Sequence, residues 1–262
     1  LPAAVAAVVR DVAPDVVVNC AGATRGTPAE LVRGNVVAVA NLVAALASAG
    51  GPVRLVQLGS AAEYGDAAPG TPVAESARPN PVALYGVTKL AGTELVRTVV
   101  ERAAAGTADA PLDAVVLRVF NPVGPGSPRS TLAGRLAAEL RRTAGTGEDV
   151  RVGPLTASRD LVDVRDVADA VLAAALAPYP LPAVLNVGSG RATPLRDVAD
   201  LLVRAAGTGR RVVEAAAGSE RSAGVGWQQA DIGAIARVLG WVPATDLATS
   251  LRDLWAEPAC PA

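Results

Sequence analysis

The sequence predicts an α/β fold built on a doubly wound parallel sheet. Three observations point there. Short, unbroken apolar runs, Asp15–Cys20 (DVVVNC), Val53–Leu58 and Asp113–Phe120 (DAVVLRVF), read as strands buried on both faces. Longer stretches of helical spacing separate them, as in βαβ units. A chain of 262 residues that is 51% apolar can also close a large core.

The elements follow in order. Pro2–Val12 reads as a helix of small apolar residues that stops near Asp11 and Pro14. After the first strand, Ala21-Gly22-Ala23 is a tight turn. Thr27–Ala49 is a long helix with Pro28 near its start and Gly50-Gly51 at its stop. The second strand runs into a Pro/Gly-rich loop, Gly59–Asn80, and Pro81–Ala105 is helical. Beyond the third strand lies a Gly/Pro loop, Asn121–Pro128, then a helix over Thr131–Thr143 and an extended piece at Val150–Val152. Arg159–Val164 leads into a helix over Val167–Ala177, and Ala183–Val187 is a further buried strand ended by Gly188-Ser189-Gly190. Thr193–Ala206 reads as a helix with Thr193 as its cap and Pro194 at its first position. Val212–Val213 is a short strand, and Asp231–Leu239 and Leu247–Trp255 are small helices.

Composition excludes several functions. With 24 basic and 25 acidic residues and no basic run, nothing suggests a nucleic-acid partner. Apolar runs such as Ala170–Leu176 are too short to span a bilayer, so no membrane role is expected. Cys20 and Cys260 offer neither a disulfide framework nor metal-ligand spacing. The chain has no His, which removes His-based triads and His-ligated metals, and no metal site is expected. No signal-peptide pattern opens the chain, and a cytoplasmic protein is the expectation.

Acid–base chemistry is left to Tyr, Lys, Asp, Glu and Ser. Of the 24 basic residues only Lys89 is a lysine, and it stands four residues after Tyr85, one of three tyrosines. On a helix that spacing puts phenol and ammonium on one face. A neighbouring cation favours the phenolate, so such a tyrosine can trade a proton near neutral pH. Ser60, in the loop upstream, is a third polar group for the same site.

With these residues in place the chain resembles the extended short-chain dehydrogenase/reductase family, which includes nucleotide-sugar epimerases, dehydratases and ketoreductases. Asn19-Cys20-Ala21-Gly22 is similar to that family's turn after its fourth strand, and Asn35 to its helix asparagine. Leu58–Gly65 (LGSAAEYG) resembles the serine loop, with Ser60 at the catalytic position, and Tyr85 and Lys89 form the YxxxK pair. Arg118–Gly126 (RVFNPVGPG) and Ser158–Val164 (SRDLVDV) match two further segments in family order. The resemblance implies catalytic roles for Ser60, Tyr85 and Lys89. It implies an NAD or NADP site at Asn19, Ala21, Gly22, Tyr85, Lys89, Pro122 and Val123. Asn121, Arg159 and Arg221 would bind a nucleotide-sugar substrate, the arginines at its pyrophosphate. It also implies a Rossmann-like domain over residues 1–125, to which 158–190 return, and a smaller substrate-binding domain from 126–157 and 191–262. A homodimer through the helices Thr27–Ala49 and Pro81–Ala105 is expected.

The chain departs from the family pattern twice. No strand, Gly-rich turn and helix for the dinucleotide pyrophosphate precedes the first strand. Gly188-x-Gly190 lacks the third glycine and reads as a substrate-side loop. About two βα units, on the order of 60 residues, look absent, so an N-terminally incomplete copy with weak dinucleotide binding is the expectation. Second, dehydratases of the family carry acidic residues where this chain has Ala61 and Ala62, and alanine does no acid–base chemistry. Glu63, one place along, should point elsewhere. The expectation is therefore 4-epimerisation or 4-keto reduction, closest to GDP-linked 4-keto-6-deoxy-sugar reductases. The alternative is a catalytically silent binding or regulatory protein on the same scaffold.

Overall fold

The computed structural model describes residues 2–49, 51–106, 112–215 and 224–257. Helix α1 (Pro2–Val12) leads to strand β1 (Val16–Asn19). Helix α2 (Pro28–Val32) continues through a π-helical turn, Arg33–Val37, into α3 (Ala38–Ala47). Strand β2 (Arg54–Ser60) ends in a 3₁₀ turn, Ala61–Glu63, and α4 (Leu84–Ala104) precedes β3 (Asp113–Val119). Then come β4 (Asn121–Val123), α5 (Leu132–Arg142), β5 (Val150–Val152), β6 (Ser158–Asp163), α6 (Val164–Leu176) and β7 (Val184–Val187). The described chain closes with β8 (Ala192–Pro194), α7 (Leu195–Ala206), β9 (Val212–Glu214), α8 (Gly233–Leu239) and α9 (Leu247–Ala256).

Among the described residues the main sheet holds four parallel strands in the order β1-β2-β3-β7. Strand β3 shows why its run is apolar throughout. Val115, Leu117 and Val119 face α6 and α8, where Val167, Ala170, Ala174 and Ile235 meet them. Ala114 and Val116 face the other way, onto Val9 of α1, Val39 and Leu46 of α3 and Val96 of α4. The period of two in a strand thus feeds two cores, and each fully buried Val or Leu contributes about 1.5–3 kcal/mol. A separate core gathers Leu136 and Leu140 of α5, Val150 and Val152 of β5, Val198 and Leu202 of α7 and Leu251 of α9. Strands β4, β6 and β8 form a small sheet beside the main one, and β5 pairs with β9.

Four elements differ from the sequence reading. Strand β1 is not buried on both faces: it pairs only with β2 among the described residues, and Val18 is 40% exposed. Residues Thr193 and Pro194 belong to β8, pairing antiparallel with Arg159 and Ser158, so α7 starts at Leu195. The ladder to β6 takes the backbone groups that a helical first turn would have used. Helix α4 begins at Leu84 rather than Pro81, because Ala83 is still extended (φ −126°, ψ 152°). Helix α6 begins earlier than read, at Val164, because the Asp163 carboxylate accepts the Arg165 N–H at 2.8 Å and caps it. The stretch Pro28–Ala47, 20 residues at mean hydropathy 1.4, is long and apolar enough to cross a bilayer. Its Leu31, Asn35, Val39, Val43 and Leu46 are nonetheless buried, and α3 packs on α1 and α4, as in a core-facing helix.

Candidate active site

Strands β1, β2 and β3 all release the chain at their carboxyl ends into one cleft of about 410 Å³. In open parallel sheets this is where ligands sit. Ser60 is the last residue of β2 and lines the cleft. Its Oγ accepts the Ala62 N–H at 3.2 Å, and its own N–H donates to Glu63 Oε1 at 2.8 Å. This reciprocal capping box closes the 3₁₀ turn and fixes the Ser60 side chain.

Tyr85 and Lys89 line the same cleft from the first turns of α4. The helix comes this close because residue 86 is glycine: a Cβ there would lie 2.4 Å from the Ala62 carbonyl oxygen. Lys89 Nζ donates to the Leu58 carbonyl at 2.5 Å. Burial pushes the ammonium's pKa down, and the Glu63 carboxylate opposes that shift. Asn35, in the π turn and 2% exposed, joins the two halves of the site. Its Oδ1 accepts the Ala23 N–H at 2.9 Å, while its Nδ2 donates to the Ala23 carbonyl at 2.8 Å and to Thr88 Oγ1 at 3.0 Å. Thr88 in turn donates to the Tyr85 carbonyl at 2.9 Å. A single buried amide therefore ties the turn after β1 to the helix that carries the phenol and the ammonium. π turns recur at functional sites, and this one sets Asn35 at the junction.

A serine, a tyrosine and the chain's only lysine thus meet at the carboxyl end of a parallel sheet, and the profile of the NAD dependent epimerase/dehydratase family matches residues 2–188. The chain belongs to the NAD-dependent epimerase/dehydratase family. A dTDP-6-deoxy-L-talose 4-dehydrogenase (NAD(P)(+)) of Kitasatospora kifunensis is 41% identical over 244 residues, 92% of this chain and 74% of that one. A GDP-6-deoxy-D-mannose reductase of Pseudomonas aeruginosa is 29% identical over 255 residues, 93% of this chain and 80% of that one. The solved structure of MoeE5 with UDP-glucuronic acid and NAD superposes with a TM-score of 0.81 at 30% identity, covering 96% of this chain and 81% of that one. The sheet is of the Rossmann type, the first two relatives are named as enzymes of nucleotide sugars, and MoeE5 was solved with a nucleotide sugar and NAD.

The cleft brings together Ser60, Tyr85, Lys89, Ala21, Gly22, Asn121, Pro122 and Val123. Asn121 is anchored by a 2.9 Å bond from Nδ2 to the Asp160 carbonyl. Asn19 lies outside the lining: its Oδ1 accepts the Ala21 N–H at 3.1 Å and its Nδ2 donates to Gln57 Oε1 at 2.7 Å, so it shapes the turn. Arg159 also lies outside the lining. It is 5% exposed, with Nη1 on the Ser158 carbonyl at 2.9 Å and Nη2 on the Val225 carbonyl at 2.6 Å. Burial lowers its pKa and Asp66 opposes this. Arg221 and Cys260 lie outside the described residues, whereas Cys20 is a free, exposed thiol at the cleft. The Gly188–Gly190 loop does not line the cleft. Its Ser189 and Gly190 N–H groups are taken by the Asp160 carboxylate at 2.6 and 2.9 Å.

One cleft residue escaped the sequence reading, and Glu63, expected to point elsewhere, does so. Gln228 lines the cleft, 4% exposed, and its Nε2 donates to the carbonyls of Ala61 and Gly65, each at 2.9 Å. It props the serine loop from a segment without periodicity, so no local signal marked it. Glu63 turns inward beneath the loop, fully buried, with Oε2 accepting Arg118 Nε at 2.7 Å. The Arg118 guanidinium lies 4.5 Å above the Tyr64 ring, whose hydroxyl donates to Asn186 Oδ1 at 2.8 Å. Tyr64 is thereby a packing residue, and burial pushes its pKa up.

Proposed function

We propose that this chain is an NAD(P)-dependent 4-ketoreductase, or in reverse a 4-dehydrogenase, of a nucleotide-linked 6-deoxy sugar. The observation that carries the reading is the convergence of Ser60, Tyr85 and Lys89 in one cleft beside Ala21–Gly22 and Pro122–Val123. The 41% relative named as a dTDP-sugar 4-dehydrogenase favours this reaction, with dTDP ahead of GDP.

The residues present fit a nicotinamide nucleotide. Where a cofactor would lie, the turn after β1 is small, Ala21-Gly22-Ala23. A Cβ on Gly22 would stand 3.0 Å from Asn35 Oδ1 and 4.0 Å from Lys89 Nζ, filling space the site keeps open. When bound, NAD(P) supplies or accepts the hydride. The chain's own groups handle the proton and the geometry. Tyr85 gives its phenolic proton to the C4 oxygen during reduction and takes it back in the reverse direction. Ser60 Oγ, already accepting from Ala62, donates its O–H to the same oxygen and holds it in place. Lys89 brings a cation to the same cleft, and its ammonium has donors beyond the Leu58 carbonyl for a ribose hydroxyl. Ala61 and Ala62 supply no acid or base, which disfavours elimination. The nucleotide is placed toward residues 126–157 and 191–262, with Arg159 and Arg221 as phosphate ligands. Among the described residues, two of the five N–H donors of Arg159 are spent on carbonyls, and the fork suits a phosphate.

A cytoplasmic homodimer completes the proposal. Val32 and Val37 of the α2–α3 rod and Leu84, Val87 and Leu95 of α4 are 37–46% exposed, an apolar surface suited to a second copy. The activity is tested by mixing the protein with NADPH and a dTDP-4-keto-6-deoxy sugar. Stoichiometric NADPH oxidation with alcohol formation supports the reductase. Interconversion of two sugars without net NADPH loss replaces it with the epimerase, and no turnover favours a silent scaffold.

A further inference from the structure

The carboxylate of Glu63 is 0% exposed, lies directly beneath the serine loop, and does not line the cleft. Burying a charge is costly unless it is fully paired, and a neutral residue could occupy the third position of a one-turn 3₁₀ segment. Here each oxygen has a defined partner. Oε1 accepts the Ser60 N–H at 2.8 Å, and Oε2 accepts Arg118 Nε at 2.7 Å. Room for the carboxylate is made by Gly59, where a Cβ would lie 2.9 Å from Glu63 Oε1. The return contact, Ala62 N–H to Ser60 Oγ, commits one lone pair of the hydroxyl to the loop and leaves its proton for an acceptor in the cleft.

We propose that Glu63 is the positioning residue of the Ser60 hydroxyl: clamped by Arg118, its carboxylate holds the turn so that Ser60 presents its O–H to the substrate oxygen. The carboxylate stands where the family's dehydratases would have their acids one or two places earlier, but it acts on the serine from behind and never meets substrate. This inference rests on the reading of Ser60 as a catalytic donor.

The test is a mutant cycle on the full chain with NADPH and a dTDP-4-keto-6-deoxy sugar, joined to crystal structures of the variants. Glu63→Gln is expected to lower kcat about 10- to 100-fold and leave KM within about twofold, as for a contact that acts only in the transition state. In a Ser60→Ala background the same change is expected to cost nothing further, because Glu63 acts through that hydroxyl. The crystal structure of the single Glu63→Gln variant is expected to show Ser60 Oγ rotated off the Ala62 N–H. If Arg118, left alone, unfolds the single variant, Glu63→Gln with Arg118→Met removes both charges and is expected to give the same kcat loss. Wild-type kcat in Glu63→Gln overturns the proposal, and so does an equal loss with and without Ser60. Should the wild-type protein turn over no nucleotide sugar, the reading of the cleft fails. The inference is then judged by the variant structure alone, where an unmoved Ser60 overturns it.

Discussion

Gly86 and Ala62 are in backbone contact: a Cβ on Gly86 would come 2.4 Å from the Ala62 carbonyl oxygen and 2.9 Å from Pro81 Cβ. Neither neighbour is the end of a flexible side chain, so helix α4 would have to retreat from the serine loop. Gly86→Ala is expected to lower unfolding stability by about 1–3 kcal/mol. It is also expected to cut turnover on the order of 100-fold, because Tyr85 moves away from Ser60. Urea denaturation and steady-state kinetics check the two effects, and a variant with native turnover would show that the contact does not set the site.

Asn35 offers a second test. Its amide satisfies both backbone groups of Ala23, which are partly buried, and reaches Thr88 in the interior. Asn35→Ala leaves the Ala23 N–H and C=O without protein partners, and a loss of about 3 kcal/mol is expected. Thr88→Val removes two links, the bond accepted from Asn35 Nδ2 and the one donated to the Tyr85 carbonyl, and is expected to cost about 1–2 kcal/mol. Denaturant midpoints rank the two. Equal costs would mean that the amide's hold on Ala23 contributes little.

These residues mark what could be read from the chain alone. The run Asp113–Val119 declared a central strand because every position is apolar apart from its first residue and Arg118, and the two cores it feeds account for that. Tyr85 and Lys89 declared a shared face because four residues make about one helical turn. Ser60 entered through its loop pattern, and the cleft holds all three. What stayed hidden depends on contacts distant in sequence. Gln228 reaches back 167 residues to Ala61, and Asn35 reaches 53 forward to Thr88. Pro194 reads locally as a helix start, but pairing with Ser158 overrides that preference. Glu63 was expected to point away from the loop's chemistry. It does leave the cleft, but only Arg118, 55 residues on, explains why a charge can be buried there.

Asp160 organises the far side of the site. One carboxylate accepts the Ser189 N–H and hydroxyl, the Gly190 N–H and the Ala230 N–H. Its own backbone carbonyl holds Asn121. Asp160→Asn puts an amide NH₂ against backbone donors and leaves at least one buried N–H unpaired, so a loss of about 3 kcal/mol is expected. Asn121 is expected to move with it, raising KM for the nucleotide sugar more than it lowers kcat. Thermal unfolding and a KM–kcat comparison decide, and an unchanged KM would detach Asp160 from the substrate side.

Lys89 gives a prediction with a definite sign. Burial holds its ammonium below the ordinary value of 10.5, and the charge of Glu63 works against that shift. The folded chain therefore releases this proton at a lower pH than the unfolded chain. Between the folded pKa and 10.5 the unfolded state binds more protons, so stability from this group rises with pH. Below the folded pKa both states are protonated, the slope vanishes, and a constant cost remains. Lys89→Met removes the titration. The stability of wild type relative to Lys89→Met is expected to be flat near neutral pH and to climb as pH approaches 10.5, read from urea midpoints across that range. Turnover is expected to fall at least about 100-fold in the same variant. Lys89→Arg is expected not to restore it, since a forked guanidinium does not reproduce the compact point charge that sits on the Leu58 carbonyl. A stability difference that stays flat up to 10.5 would mean that Lys89 is better solvated than its burial indicates.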